Sequence, residues 1–245
     1  MQPKPVNHQI LITGVSSGIG FYLAEYYLKN KYDVKGISRR TPERLMFDPG
    51  FKFEKADLAI HMTIIPVLER LFESQPLPNL VILNAGILSP IADMSDVALD
   101  DMKNVMDVNL WANKIILDWL FFRGFQKGQV VAISSGAAIS ASRGWNVYAI
   151  SKAALNMMIA LYATERPEIH FSSIAPGLVD TRMQEDICSL PIEAAEKFPA
   201  VKRLQSARGS EHMPSPQKLA PLLAGLIEKA LQKPSGSYLD IRQQN

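Results

Sequence analysis

Short, almost continuous apolar runs alternate along this chain with longer segments in which apolar residues return every three or four positions. These are the signatures of buried strands and of helices lying against them. Strand-like runs fall at residues 8–13, 33–38, 80–83, 129–135, 170–175 and 235–241, and residues 51–56 alternate as a further strand. Helical spacing carries Phe21, Leu23, Ala24, Tyr27 and Leu28, then residues 61–75 despite Pro66. It returns over residues 99–124 through Val105, Val108, Ile115, Ile116, Trp119 and Phe122, again from about Tyr148 to Glu165, and last over residues 217–231. Strand and helix in strict alternation predict an α/β chain with a single doubly wound parallel sheet, a Rossmann fold with helices on both faces. The regularity fails only at residues 182–216, where prolines and mixed charges at the carboxyl end of a strand predict a lid or substrate wall.

Composition changes this picture little. At 245 residues the chain fits one large domain, residues 1–245, with no second unit. A net charge of +2, with no basic cluster longer than Arg39-Arg40, argues against nucleic acid or an anionic membrane as partner and leaves a small molecule. Cys188 is the sole cysteine, which excludes an intrachain disulfide and fits a reducing cytoplasm. The first residues lack the apolar core of a signal peptide, and no stretch approaches a membrane span of uninterrupted apolar residues. His8, His61, His170 and His212 make no ligand-spaced pair, so no metal site is expected.

The candidate chemistry sits where strands end. Thr13-Gly14-Val15-Ser16-Ser17-Gly18-Ile19-Gly20 follows the first strand and opens a helix, an arrangement suited to phosphate. Gly14 allows a tight turn, Gly18 lets backbone approach a pyrophosphate, and Gly20 lets the helix pack on the strand, with Ser16, Ser17 and Ile19 completing the cradle. The second strand ends in Arg39-Arg40 where an acid would bind ribose hydroxyls, which favours NADPH over NADH. Asp57-Leu58 ends the third strand, where a carboxylate can accept from an adenine amine. Asn84-Ala85-Gly86 ends the fourth with small residues that admit a cofactor. Gly14-Val15-Ser16-Ser17-Gly18 also spells a hydrolase nucleophile elbow, with Asp180 and His212 as partners, but only a few residues precede its strand to supply an oxyanion loop.

Ser135 closes the fifth apolar run, and Tyr148 and Lys152 stand one helical turn apart downstream. A phenol beside an ammonium is a proton donor in search of a carbonyl, and the Ser135 hydroxyl can bind the same oxygen. The spacing alone is weak, because Tyr27 and Lys31 repeat it on a helix with no strand-end serine. That pair reads as solvated surface. Asn109, mid-helix, either bonds neighbouring backbone or holds a water.

Thr13-Gly-x-x-x-Gly-x-Gly20, Asp57, Asn84-Ala85-Gly86, Asn109, Ser135, Tyr148-x-x-x-Lys152 and Pro176-Gly177-x-x-x-Thr181 occur in this order, and together the chain resembles the classical short-chain dehydrogenases/reductases over residues 8–241. The resemblance implies a tetrad: Tyr148 as proton donor, Ser135 orienting the carbonyl, Lys152 binding nicotinamide ribose and lowering the tyrosine pKa, Asn109 holding a relay water. It also implies that Pro176, Gly177, Val179 and Thr181 meet the nicotinamide. Ser17 stands where many NADPH enzymes of the family carry a basic residue, so phosphate recognition falls to Arg39 and Arg40. The ending Ser235-Gly-Ser-Tyr-Leu-Asp240-Ile, together with Arg143-Gly-Trp145 and residues 178–184, is similar to the branch holding sepiapterin reductase and bacterial benzil reductases. That implies a carbonyl reductase for a pterin or an aromatic α-diketone, with Trp145 and Asp240 at the substrate and Asp240 on a pterin amine. It further implies a homodimer paired through residues 99–124 and 148–165, with Trp111, Ile115, Met157, Met158 and Leu161 as candidate contacts. Ser135, Tyr148 and Lys152 together argue against a catalytically idle NADPH-binding protein.

Overall fold

The computed structural model describes residues 9–243. Seven strands form one parallel sheet in the order β3-β2-β1-β4-β5-β6-β7: β1 Gln9–Thr13, β2 Asp33–Ser38, β3 Phe51–Lys55, β4 Leu80–Leu83, β5 Gly128–Ile133, β6 Ile169–Ala175 and β7 Ser237–Asp240. The order reverses between β1 and β4, so the loops leaving those two strands diverge and open a crevice at their carboxyl ends. His8, expected to begin the first strand, lies outside the described residues.

Fully buried strands need cover on both faces, and the helices divide accordingly. Helices α1 (Gly18–Lys29) and α9 (Pro216–Ala230) close one apolar layer, with Leu23, Ala24, Leu223 and Ile227 against Ile10, Ile12 and Ile174. On the other face lie α2 (Ile64–Leu71), α4 (Ala112–Phe122) and α5 (Asn146–Glu165), which bury Leu68, Ile116, Leu155 and Ile159 against Leu11, Val81 and Val130. Pro66 is harmless in the first turn of α2, where its missing N–H is not needed, although this helix is shorter than its apolar spacing predicts.

Two features depart from the sequence reading. The helix expected over residues 99–124 is interrupted: α3 (Leu99–Met106) and α4 are joined by a π-helical turn over Asp107–Trp111 that carries Asn109. Such a turn pushes one residue out of register with its helix and is common at functional sites. Tyr27 is not at the surface. It is 3% exposed, edge-on to Tyr26 and Tyr32, and burial raises its pKa.

Residues 182–216 are mostly helical: α6 (Arg182–Cys188), α7 (Ile192–Lys197) and α8 (Pro199–Ala207). They close on a small core of their own, formed by Ile187, Ala195, Phe198, Val201, Leu204 and Met213. Asp93 ties this segment to the loop after β4, accepting from Lys197 Nζ at 3.1 Å and from Arg143 Nε at 2.7 Å and Nη2 at 2.8 Å.

Candidate active site

A cleft of about 1030 Å3 runs along the carboxyl edge of the sheet from Arg39 and Arg40 at one end to Trp145 and Leu204 at the other. Its floor is the turn after β1. Gly14 takes φ +77°, donates its N–H to Ile37 at 2.7 Å, and leaves so little room that a methyl there would sit 2.8 Å from Asn84 Nδ2. Thr13 Oγ1 accepts from the backbone N–H of Asn84 and of Ala85, both at 3.0 Å, and Asn84 Nδ2 donates to the Thr13 carbonyl at 2.9 Å. These bonds bridge the two sides of the crevice, a role for Thr13 that its place in a turn motif did not disclose. Ser17 precedes α1 in extended backbone with no side-chain cap, and the first turn of α1 holds no acid. Its free N–H groups therefore face the cleft without a competing anion.

Beyond Ser38, whose Oγ donates to the Arg40 carbonyl at 2.7 Å, the two arginines stand free of carboxylates among the described residues. Arg40 Nη2 reaches only Ser17 Oγ, at 3.5 Å. Asp57 Oδ1 accepts from Ala59 N at 3.0 Å, and Asp57 and Leu58 line the wall beside the arginines.

Ser135 leaves β5 in extended backbone and caps a short turn, its Oγ accepting from Ala137 N at 3.1 Å. Tyr148 lines the cleft beside Ser135. Burial pushes the phenol above its ordinary value, and the nearby Ser135 side chain offsets part of that rise. Lys152, 4% exposed, donates to the Ile133 carbonyl at 2.7 Å, and desolvation lowers its pKa to about 8. Its Nζ lies 6.0 Å from the Tyr148 ring centroid and makes no direct bond to the hydroxyl. In this arrangement burial, not the ammonium, sets the direction of the Tyr148 shift, against the lowering expected from the family pattern.

Asn109 is fully buried and does not line the cleft. Its Oδ1 accepts from Ile87 N at 2.8 Å, and its Nδ2 donates to the Ile87 carbonyl at 3.0 Å and to Ser151 Oγ at 2.9 Å. Ser151 in turn donates to the Tyr148 carbonyl at 2.8 Å. The π-helical turn thus fastens the wall after Gly86 to the helix that carries Tyr148. Ser151 is a member of this chain that only its position between Tyr148 and Lys152 hinted at.

The cleft brings together Gly14, Ser16, Ser17, Gly18, Ile19, Asn84, Ala85 and Gly86 with Pro176, Gly177, Val179 and Thr181, and with Ser135, Tyr148, Lys152 and Trp145. Gly20 lies beneath it, where a methyl would overlap Asn84 Nδ2 and the Gly14 carbonyl, so its part is packing rather than contact. Asp240 is a second exception. It is 2% exposed, absent from the cleft wall, and both of its oxygens are taken by Arg242, which does line the cleft. The residue expected to meet a pterin amine is thus engaged by an ion pair behind the cleft wall. The hydrolase alternative fails on geometry: Ser16 lines the cleft, but His212 is exposed outside it and Asp180 faces Arg208 at 3.8 Å.

Comparison with known proteins agrees with this geometry. The family model described as short chain dehydrogenase matches residues 8–189. An uncharacterised oxidoreductase of Schizosaccharomyces pombe is 31% identical, over 94% of this chain and 95% of its own length. The Bacillus subtilis benzil reductase ((S)-benzoin forming) is 28% identical, over 95% and 98%. Sepiapterin reductase of Bos taurus is 29% identical, over 71% and 74%. Among solved structures, the KRED1-Pglu enzyme superposes with a TM-score of 0.85 at 26% identity, over 95% of this chain and all of the other. With its glycine turn at the switch point, and Ser135, Tyr148 and Lys152 converging on one cleft, this chain belongs to the short-chain dehydrogenase family.

Proposed function

We propose that the protein is an NADPH-dependent carbonyl reductase for a ketone or dicarbonyl, in the range from sepiapterin-like pterins to aromatic α-diketones, with Tyr148 as proton donor. The observation that carries this reading is the convergence of Ser135, Tyr148 and Lys152 on one cleft whose far end holds two arginines without carboxylate partners among the described residues. The residues fit a dinucleotide: a methyl on Gly14 would close the turn that cradles phosphate, the start of α1 is free of acids, and Arg39 and Arg40 suit a 2′-phosphate. When bound, the cofactor supplies the hydride. Tyr148 gives its proton to the substrate oxygen, Ser135 holds that oxygen in place, and Lys152 meets the ribose. These groups are fixed before reaction by β5 and α5, so little reorganisation remains. The Asn109 side chain is committed to Ile87 and Ser151, and its backbone carbonyl accepts from Asn113 Nδ2 at 2.8 Å, so we take its part to be fastening the wall after Gly86.

The names of the B. subtilis and B. taurus relatives support aromatic diketones and pterins as first substrates to try. We further propose a homodimer in a reducing cytoplasm, the latter resting on the single unpaired Cys188. Following NADPH absorbance with sepiapterin, benzil, quinones and simple ketones tests the reading. Turnover of at least one carbonyl is expected, and ester hydrolysis without cofactor would sink it.

A further inference from the structure

Arg242 follows β7 in the closing turn Ile241–Gln243 and is held in three places by one buried carboxylate. Its backbone N–H donates to Asp240 Oδ1 at 3.0 Å, Nε to Oδ1 at 2.9 Å and Nη2 to Oδ2 at 2.6 Å. Nη1 has no partner among the described residues, and the side chain is 59% exposed toward the cleft. A methyl on Gly136 would stand 3.1 Å from Nη2, and one on Gly177 would stand 3.5 Å from Cγ. The guanidinium therefore lies between the turn that presents Ser135 and the turn after β6, beside the place where a carbonyl must meet Tyr148. Such a bidentate clamp costs side-chain freedom, and an arginine on an open surface would not need it.

We propose that Arg242, positioned by Asp240, binds a second carbonyl oxygen of the substrate next to the one being reduced, so that the site selects dicarbonyl compounds over simple ketones. This rests on the reductase reading above and names its substrate class. The charge of Arg242 is already matched by Asp240, so a neutral acceptor can take an Nη1–H without displacing anything. A substrate carboxylate would have to compete with Asp240 for the same cation. One oxygen then lies on Ser135 and Tyr148 and its neighbour on Arg242, which fixes which carbonyl is reduced and from which face.

Benzil and deoxybenzoin share a skeleton and differ in one carbonyl, which isolates the second oxygen. The parent enzyme should favour benzil, and Arg242→Met should lower its kcat/KM for benzil about tenfold or more while leaving deoxybenzoin and NADPH binding nearly unchanged. Asp240→Asn keeps the arginine but loosens it, and should raise KM for benzil more than it lowers kcat. If Arg242→Met leaves Asp240 too unfavourable to fold, the double variant Asp240→Asn with Arg242→Met gives the same comparison. Equal losses on both ketones would overturn the inference alone, as would a loss confined to benzoylformate, which would make Arg242 a carboxylate reader. Failure of the parent to reduce either ketone would remove the reductase reading for this class and the inference with it.

Discussion

At the scale of single residues, the site depends on proton donors and cations whose surroundings are unlike water. Tyr148→Phe removes one hydroxyl from the cleft beside Ser135 and leaves the cleft wall intact. It should lose nearly all reductase turnover yet bind NADPH with parent affinity, and a variant retaining most of kcat would show that another group donates the proton. The pH profile follows from two opposite shifts. Burial keeps the Tyr148 phenol protonated beyond its ordinary range, whereas the Lys152 ammonium is lost above about 8. Lysine is charged below its pKa, so reductive kcat/KM should be level through neutral pH and fall as pH rises past about 8. A profile level to about pH 10 would contradict a requirement for the ammonium. At the other end of the cleft, Arg39 has no carboxylate partner among the described residues to give up for a phosphate. Such a charge-assisted pair contributes about 1.5–3 kcal/mol, roughly 10- to 150-fold. Arg39→Ala should therefore weaken kcat/KM with NADPH by that factor and spare NADH, and equal losses would refute the assignment of cofactor.

At the scale of elements, the legible parts were those in which local pattern and burial coincide. The strands of a parallel sheet are apolar on both faces, and the glycine turn follows from the space β1, β4 and α1 leave, so both showed in the sequence. Tyr27 illustrates a misreading that its own helix could have corrected, since Phe21, Leu23, Ala24, Tyr27 and Leu28 form the stripe buried against the sheet. The π-helical turn left no mark because one extra residue per turn barely alters apolar spacing across so short a segment. The Asp240–Arg242 pair was equally hidden, because a carboxylate facing water and one clamped by a neighbour share a sequence. Helices α6, α7 and α8 are too short and proline-broken to declare a period. The π-helical turn also yields a prediction. Asn109→Leu strips partners from both backbone groups of Ile87, which are partly buried, and from the buried Ser151 hydroxyl, where a buried polar group left unmade costs about 1–3 kcal/mol. The variant should lose at least about 2 kcal/mol, roughly 4–8 °C in Tm, and lose activity too because Tyr148 is fastened through Ser151. An unchanged melting curve would show that the Ile87 wall is held by other means.

At the scale of the whole molecule, the sheet covers one face of α5 and leaves the other bare. Ser151, Lys152, Leu155 and Ile159 are buried on the inner side, while Ile150 is 45%, Met157 62% and Leu161 54% exposed, and Trp111 beside α4 is 45% exposed. Helix α5 is so apolar that by length and composition alone it could cross a membrane, yet only a third of it is buried in the protein. Its inner face carries Tyr148 and Lys152 into the cleft, so a bilayer cannot surround it while the site exists. An exposed apolar patch of this kind marks contact with another protein. A second copy is the economical occupant, since a two-fold axis places the same patch on both sides and needs no other partner. Light scattering should therefore give twice the 27.2 kDa of one chain at micromolar concentration. Met157→Glu with Leu161→Glu would place four carboxylates in the shared interface of the pair, and should shift the mass to that of one chain while leaving the cleft unaltered. A parent protein that runs as a single chain would reject this assembly and return the bare face of α5 to some other partner.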